Sequence, residues 1–374
     1  MPANIGVLLP RSTEFPAMGF DLLDGLKLHL KRLGIDAKIS TESIGFGEDP
    51  EQNHARAEKL VLQDDVELII AYSTSLNAEA LYAFAQTANK PIIFLDAGME
   101  VFEAPASPLC YHITLQGLAA CKYLGHEAGK GERKVISAIS FLDAGYRCSW
   151  AFAKGIEESG GSICGNYVSM YKDEEFTLSP FTQLIKAGEG QAVTAAFSSY
   201  LAKLFFEHLA QEDDITRSLP FYCSPFMADE QLMNTFPFPG GTFHTAVTWA
   251  TAIDNEENKV FIETVKQEKN KAANLFHLLG WEAALAAQQV LTNGVIALSG
   301  WTFNSPRGKV VFDNETHNAY SAIYTGEIVN DGAGKCALAL SGDSIPVTPE
   351  AHRELHFSKL DGQYSRWKNN FFCI

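Results

Sequence analysis

A continuous apolar strand running straight into an amphipathic helix is the unit from which this chain is built. Asn4-Ile5-Gly6-Val7-Leu8-Leu9-Pro10 leads, by way of Gly19, to residues 22–33, where apolar side chains recur at helical spacing. The unit returns at Val66-Glu67-Leu68-Ile69-Ile70-Ala71, which ends in Tyr72-Ser73-Thr74-Ser75 and passes into a helical pattern over 77–88. Strands that are apolar along their length must be covered on both faces. The repeated unit therefore predicts an α/β fold with parallel sheets between helical layers. Hydroxyls at the carboxyl end of such a strand face a ligand crevice.

The alternation continues along most of the 374 residues. Further strands are expected at 35–41, 66–71, 91–95 and 109–113, enough with the first for one sheet. The pattern restarts at Lys134-Val135-Ile136-Ser137-Ala138-Ile139-Ser140-Phe141 and goes on through 162–170, 191–197 and 219–223, enough for a second. An extended segment at 242–249 precedes two long helical patterns, 255–268 and 274–291, the latter containing Trp281-Glu282-Ala283-Ala284-Leu285-Ala286-Ala287. A chain of this length exceeds the size at which one core keeps growing, so two lobes are expected. With 46% hydrophobic residues, both cores can be filled.

In order and spacing these units resemble the branched-chain amino-acid binding proteins, the periplasmic binding proteins of type I. Ser305-Pro306-Arg307-Gly308-Lys309-Val310-Val311-Phe312-Asp313 and Ala322-Ile323-Tyr324-Thr325-Gly326-Glu327-Ile328 are similar to that family's late turn and third crossing. The resemblance implies two Rossmann-like lobes with parallel-sheet cores joined by a three-segment hinge. It places lobe one at 1–117 and 246–328 and lobe two at 118–245 and 329–374, with a ligand cleft between them. It also implies a reversible binder of a small molecule, without a cofactor, and not an enzyme.

Charge narrows the partners. Forty-five acidic against 29 basic residues give a formal net charge of -16, and no Lys/Arg block stands out. Such a field repels phosphate backbones and anionic lipid, so no nucleic acid is expected. Lac-repressor-type regulators share a two-lobed core but place a DNA-binding headpiece ahead of it; with the first strand reached at Asn4, none is expected here. No apolar run approaches a membrane span and no leader-like pattern precedes the first strand, so no direct membrane span is expected. The seven cysteines (Cys110, Cys121, Cys148, Cys164, Cys223, Cys336 and Cys373) contain no CxxC and read as free thiols, which fits a reducing compartment. The compartment is thus periplasmic by the family norm if a leader was removed, and cytoplasmic if the chain is native.

Candidate ligand contacts come from both lobes. Ser73, Thr74 and Ser75 stand where a helix begins, and its free N–H groups and positive dipole end suit a carboxylate or amide oxygen. One of the three can instead cap the helix. By resemblance, Ser73 and Ser75 match a serine-rich loop that holds the ligand's polar head. In Leu95-Asp96-Ala97-Gly98-Met99-Glu100, the resemblance turns the Ala97 carbonyl to the ligand and puts Met99 near a position the family gives to threonine. Asp96 is either a polar contact or a turn-former.

From lobe two, Tyr146 in Phe141-Leu142-Asp143-Ala144-Gly145-Tyr146, and Tyr200 on the next loop, align with tyrosines presented to the cleft. In Phe221-Tyr222-Cys223-Ser224-Pro225-Phe226-Met227, Pro225 or Phe226 stands where amino-acid binders place a carboxylate for the ammonium group. A buried ammonium without a counter-charge is costly, so the expected ligand has an apolar or aromatic body and a carboxylate or amide head. Phe15 and Met18 are either the opposite wall or ordinary core.

Catalytic readings find little support. GxSxG, HExxH and Walker A runs are absent, and Gly45-Phe46-Gly47 reads as a turn, as does Asp331-Gly332-Ala333-Gly334. His54 and Glu58 lie four apart, but two groups do not make a metal site. A hydrolase built on Cys110 or a serine needs a nucleophile-base pair that the sequence does not display. The expected function is a solute-binding receptor, the substrate-binding component of an ABC transporter with a permease as partner. The alternative is a cytoplasmic sensor that passes occupancy to a regulatory protein.

Overall fold

The computed structural model describes residues 2–47, 49–99, 105–143 and 147–358, with Ser75, Leu76 and Asp343 placed by their backbone. Strand β1 (Ala3–Leu9) leads to helix α1 (Met18–Arg32), β2 (Ala37–Ser43) to α2 (Pro50–Leu62), and β3 (Leu68–Tyr72) to α3 (Ser75–Ala88). β4 (Ile92–Asp96) and β5 (Cys110–Thr114) complete this run, and α4 (Gly117–Gly129) opens the next. There follow β6 (Lys134–Ser140), α5 (Cys148–Glu158), β7 (Ser162–Ser169), α6 (Ser179–Lys186), β8 (Ala192–Ala196) and α7 (Ser199–Leu209). β9 (Phe221–Cys223), α8 (Glu230–Met233) and β10 (Phe243–Val247) close that run. α9 (Glu256–Lys269) and α10 (Leu275–Asn293) precede β11 (Thr302–Ser305), β12 (Gly308–Phe312) and β13 (Asn318–Tyr320). The described chain ends with β14 (Ile323–Asn330), β15 (Cys336–Ile345) and α11 (Pro349–Phe357).

The strands form two sheets, ordered β11-β12-β13-β5-β4-β3-β1-β2 and β15-β14-β10-β9-β8-β6-β7. Each has a parallel centre, and the hairpins β11–β12 and β14–β15 add antiparallel edges. β3 and β4 are buried along their whole length, the physical reason for their unbroken apolar runs. The strand order reverses between β1 and β3 and again between β6 and β8, which opens a crevice at the carboxyl ends of those strands.

The third crossing falls earlier than the sequence suggests. Residues 323–328, assigned from sequence to lobe one, pair in the second sheet as part of β14, and residues 246–247 belong there as the end of β10. Only Ser321 and Ala322 separate β13 from β14, so no loop marks the change of sheet.

Within each lobe two helices meet backbone to backbone. A Cβ at Gly25 of α1 would stand 2.0 Å from the His277 carbonyl oxygen, and one at Gly280 of α10 would stand 2.0 Å from that of Leu22. Gly125 and Gly155 give α4 and α5 the same approach. Six cysteines among the described residues are free, five of them buried, while Cys373 lies outside the described residues. Among those residues no helix is long and apolar enough to cross a membrane.

The three crossings bond to one another. Thr248 Oγ1 donates to the Leu115 carbonyl (3.0 Å), and the N–H and hydroxyl of Ser321 both donate to Gln116 Oε1 (2.6 and 3.1 Å). Arg307, wholly buried, donates from Nη1 to the Thr114 carbonyl (2.8 Å) and from Nε and Nη2 to both oxygens of buried Glu282 (2.7 and 2.8 Å). Helix α11 adds an outer strap. Its Glu354 pairs with Lys122 (2.9 Å) and Lys154 (2.8 Å) of the second lobe, and its Arg353 with Asp313 (2.8 Å), next to β12.

Candidate functional site

The loops at the carboxyl ends of the central strands meet across the crevice. After β1, the half-buried Glu14 carboxylate accepts the backbone N–H of Tyr200, at the start of α7 in the second lobe. Burial outweighs that bond and raises the Glu14 pKa.

Between the lobes lies a cavity with about 530 Å³ of empty space, part of it open to solvent. Leu115, Phe226, Val247, Trp249 and Leu275 give it an apolar wall, while Thr248, Asn274 and Asp229 contribute polar groups. Asp229 is the unusual one. Its Oδ1 accepts the Gln231 N–H at the start of α8 (2.9 Å), whereas its buried Oδ2 has no hydrogen-bond partner among the described residues. Burial raises its pKa to about 6. A carboxylate held out of water with one oxygen unpaired is suited to a donor carried by a ligand.

Of the residues singled out from sequence, Ala97 and Phe226 line this cavity. Met99 is buried beside it, with its sulfur 2.2 Å from where a Cβ of the wall residue Gly117 would stand. Phe15 packs edge-on against Phe276 of α10 (5.2 Å between ring centroids), and Met18 is core. Asp96 closes a turn, its Oδ1 accepting the Gly98 N–H (2.6 Å), and it faces a different cavity, lined also by Gln116, His352 and His356.

Ser73 and Thr74 are buried just ahead of α3. Ser73 Oγ donates to the Thr74 carbonyl (3.1 Å), and Thr74 Oγ1 accepts from Asn77 Nδ2 (3.1 Å). Thr74 holds the N-cap position, yet its side chain makes no bond to the first-turn amides, so capping does not account for it. Ser75 begins the helix, and its side chain lies outside the described atoms. The Tyr200 hydroxyl donates to the Tyr171 carbonyl, which engages it within the second lobe. Tyr146 lies outside the described residues.

Sequence reasoning passed over a residue that organises the second lobe's side of the crevice. Asp143 accepts from Ser140 Oγ (2.6 Å), from the Ser198 N–H (2.9 Å) and from Ser198 Oγ (2.8 Å), so it ties the loop after β6 to the loop after β8. Burial pushes its pKa up to about 6 against the pull of those bonds. Asp143→Ala strands these donors and should cost about 1–3 kcal/mol. Hydrogen exchange at Ser198 to Tyr200 should quicken in the variant; unchanged protection there would mean that other contacts hold the loops.

The family described as "Periplasmic binding protein" matches residues 2–333. The "Leu/Ile/Val-binding protein homolog 6" of Brucella suis biovar 1 is 22% identical over 348 residues, 88% of each chain. In fold the chain is similar to an ABC transporter substrate-binding protein from Sphaerobacter thermophilus, with TM-score 0.79 and 23% identity over 92% of this chain and 98% of that one. A solute binding protein of an ABC transporter from Rhodopseudomonas palustris BisB5, in complex with 3,4-dihydroxy benzoic acid, is similar at TM-score 0.72 and 18% identity over 92% and 98%. Two sheets joined by three cross-bonded crossings, and a family match that spans most of the sequence, lead to one assignment: the chain belongs to the periplasmic binding proteins, in their type I form.

Proposed function

We propose that this solute-binding receptor is the substrate-binding component of an ABC transporter. It closes over a small organic acid or amide with an apolar or aromatic body and delivers it to a membrane permease. The observation that carries the ligand class is the cavity wall, where Phe226, Trp249, Leu115, Val247 and Leu275 offer a surface for a ring or branched chain. The uncapped first turn of α3, behind Ser73 and Thr74, suits the ligand's oxygen-bearing head. Asp229 then takes a hydroxyl at the far end of the ligand. The Rhodopseudomonas protein, crystallised with a dihydroxylated aromatic acid, supports the same class, and the transporter relatives favour delivery to a permease over signalling to a regulatory protein.

A thermal-shift panel tests this reading. Benzoate, 4-hydroxybenzoate and the deaminated acid and amide analogues of leucine and phenylalanine are compared with the two amino acids themselves. A ligand present at a hundred times its Kd stabilises by about 2.7 kcal/mol, a rise in Tm of about 3 °C for a chain of this size. The acids or amides without an amino group should reach that shift and the amino acids should not. Larger shifts with leucine or phenylalanine would make Asp229 the ammonium partner and overturn the proposed class.

A further inference from the structure

We infer that the first lobe carries a binding site for a divalent transition-metal ion, built from Asp21 and Asp24 of α1 and His277 of α10. One potential ligand atom from each residue lies within 4.8 Å of the other two. His277 is wholly buried. Its Nδ1 faces Asn274 Oδ1 at 2.7 Å, an oxygen that also accepts the backbone N–H groups of Phe276 and His277 (3.1 and 3.0 Å). Asn274 Nδ2 donates to Asp21 Oδ2 (2.8 Å). Backbone donors on one side and a carboxylate on the other fix the amide's orientation, so Oδ1 is an acceptor and His277 Nδ1 carries the ring proton.

In its neutral form the ring points the lone pair of Nε2, which has no hydrogen-bond partner among the described residues, at Asp21 Oδ1, 3.6 Å away. Two lone pairs facing each other out of water repel, and a cation between them reverses the sign. A tetrahedral ion with bonds of about 2.1 Å spaces its ligand atoms about 3.4 Å apart, close to the 3.6 Å between His277 Nε2 and Asp21 Oδ1, and Asp24 lies within 4.8 Å of both. One imidazole nitrogen with two carboxylates suits Zn²⁺ or Co²⁺ better than Mg²⁺ or Ca²⁺, which take all-oxygen sets. Asn274 supplies the outer hydrogen bond that orients a ligating histidine.

Charge permits the exchange. Lys271 Nζ lies 2.8 Å from Asp21 Oδ1 and Lys269 Nζ 2.6 Å from Asp24 Oδ1, so two ammonium groups balance the two carboxylates. A divalent ion replaces them at the same net charge, while both partly exposed lysines swing into water. The site therefore has two balanced states, one paired to lysines and one to metal.

Calorimetric titration of the metal-stripped full chain with ZnCl₂, with Co²⁺ absorption as a second readout, tests the site. One equivalent should bind, and cobalt should show the intense visible bands of tetrahedral coordination. Asp24→Asn and His277→Gln should each weaken binding by about tenfold or more. The Lys269→Met, Lys271→Met double variant should tighten it by removing the competitors. Asp24 is partly exposed, so its variant keeps the test open if replacement of the buried histidine disturbs folding. Binding unchanged in both ligand variants overturns the site. So does the lack of stoichiometric binding, in which case ¹⁵N shifts with both His277 nitrogens protonated at pH 7 would identify a proton as the bridging cation.

Discussion

Replacing Arg307 with methionine should lower the unfolding free energy by about 3–5 kcal/mol, the range for removing one partner of a buried ion pair. The substitution leaves the Glu282 carboxylate wholly buried without its two guanidinium bonds, and the Thr114 carbonyl at the first crossing without its donor. For a chain of this length the loss corresponds to a fall in Tm of about 4–6 °C. Combining it with Glu282→Leu should recover much of the deficit, because the uncompensated charge then disappears. Scanning calorimetry of the single and double variants checks both statements. A single variant within about 1 kcal/mol of the parent would show that water or a rearranged side chain reaches Glu282, and that the hinge does not depend on the pair.

Acidification from pH 7 to 5 should destabilise the protein by an amount of the same order. Burial holds the rings of His29 and His352 down to about 4 and that of His112 well below its ordinary 6.5. A depressed pKa means that the unfolded chain takes up the proton first. These rings therefore contribute stability above pH 6.5 that is lost as the pH falls toward 4. Over the stated interval each should cost about 2 kcal/mol.

Asp143 and Asp229 act in the opposite sense. Their pKa values are raised to about 6, so on acidification the folded state takes up the proton first and gains about 1.3 kcal/mol per group. The net expectation is a loss on the order of 3 kcal/mol, or about 4 °C in Tm, with half-exposed His356 adding a smaller part. Calorimetry at pH 7.5, 6 and 5 decides. A flat or rising Tm would mean that the three rings already carry protons in the fold, or that water reaches them.

The α/β alternation was legible because β3 and β4 are covered on both faces and so leave unbroken apolar runs in the sequence. The third crossing was not, since the two residues between β13 and β14 carry no turn signal. β15 and α11 were also missed; α11 is short and mostly polar, and it docks through ion pairs and through buried His352 and Leu355. Ala97 and Phe226, named from the family resemblance, line the cavity because both follow the carboxyl ends of parallel strands, β4 and β9. Trp249 and Asn274 were not proposed as contacts, because tertiary packing brings them to the cavity from the second crossing and the start of α10. The Tyr200 hydroxyl is engaged by the Tyr171 carbonyl, a partner 29 residues away in sequence that no local pattern reveals.

The cysteines carry a consequence for handling the molecule and for reading its habitat. Burial raises the Cys110 and Cys336 thiols to about 12, and it also raises Cys121, Cys148 and Cys223. The half-exposed Cys164 is raised as well. Oxidation and exchange proceed through the thiolate, so thiols held protonated and shut away need no reducing surroundings to stay unpaired. Their number therefore no longer argues for one compartment. A cysteine introduced on the open surface of each lobe should outpace every described native thiol toward maleimides, which allows paired dyes to follow the distance between the lobes without first stripping the chain of its own sulfur.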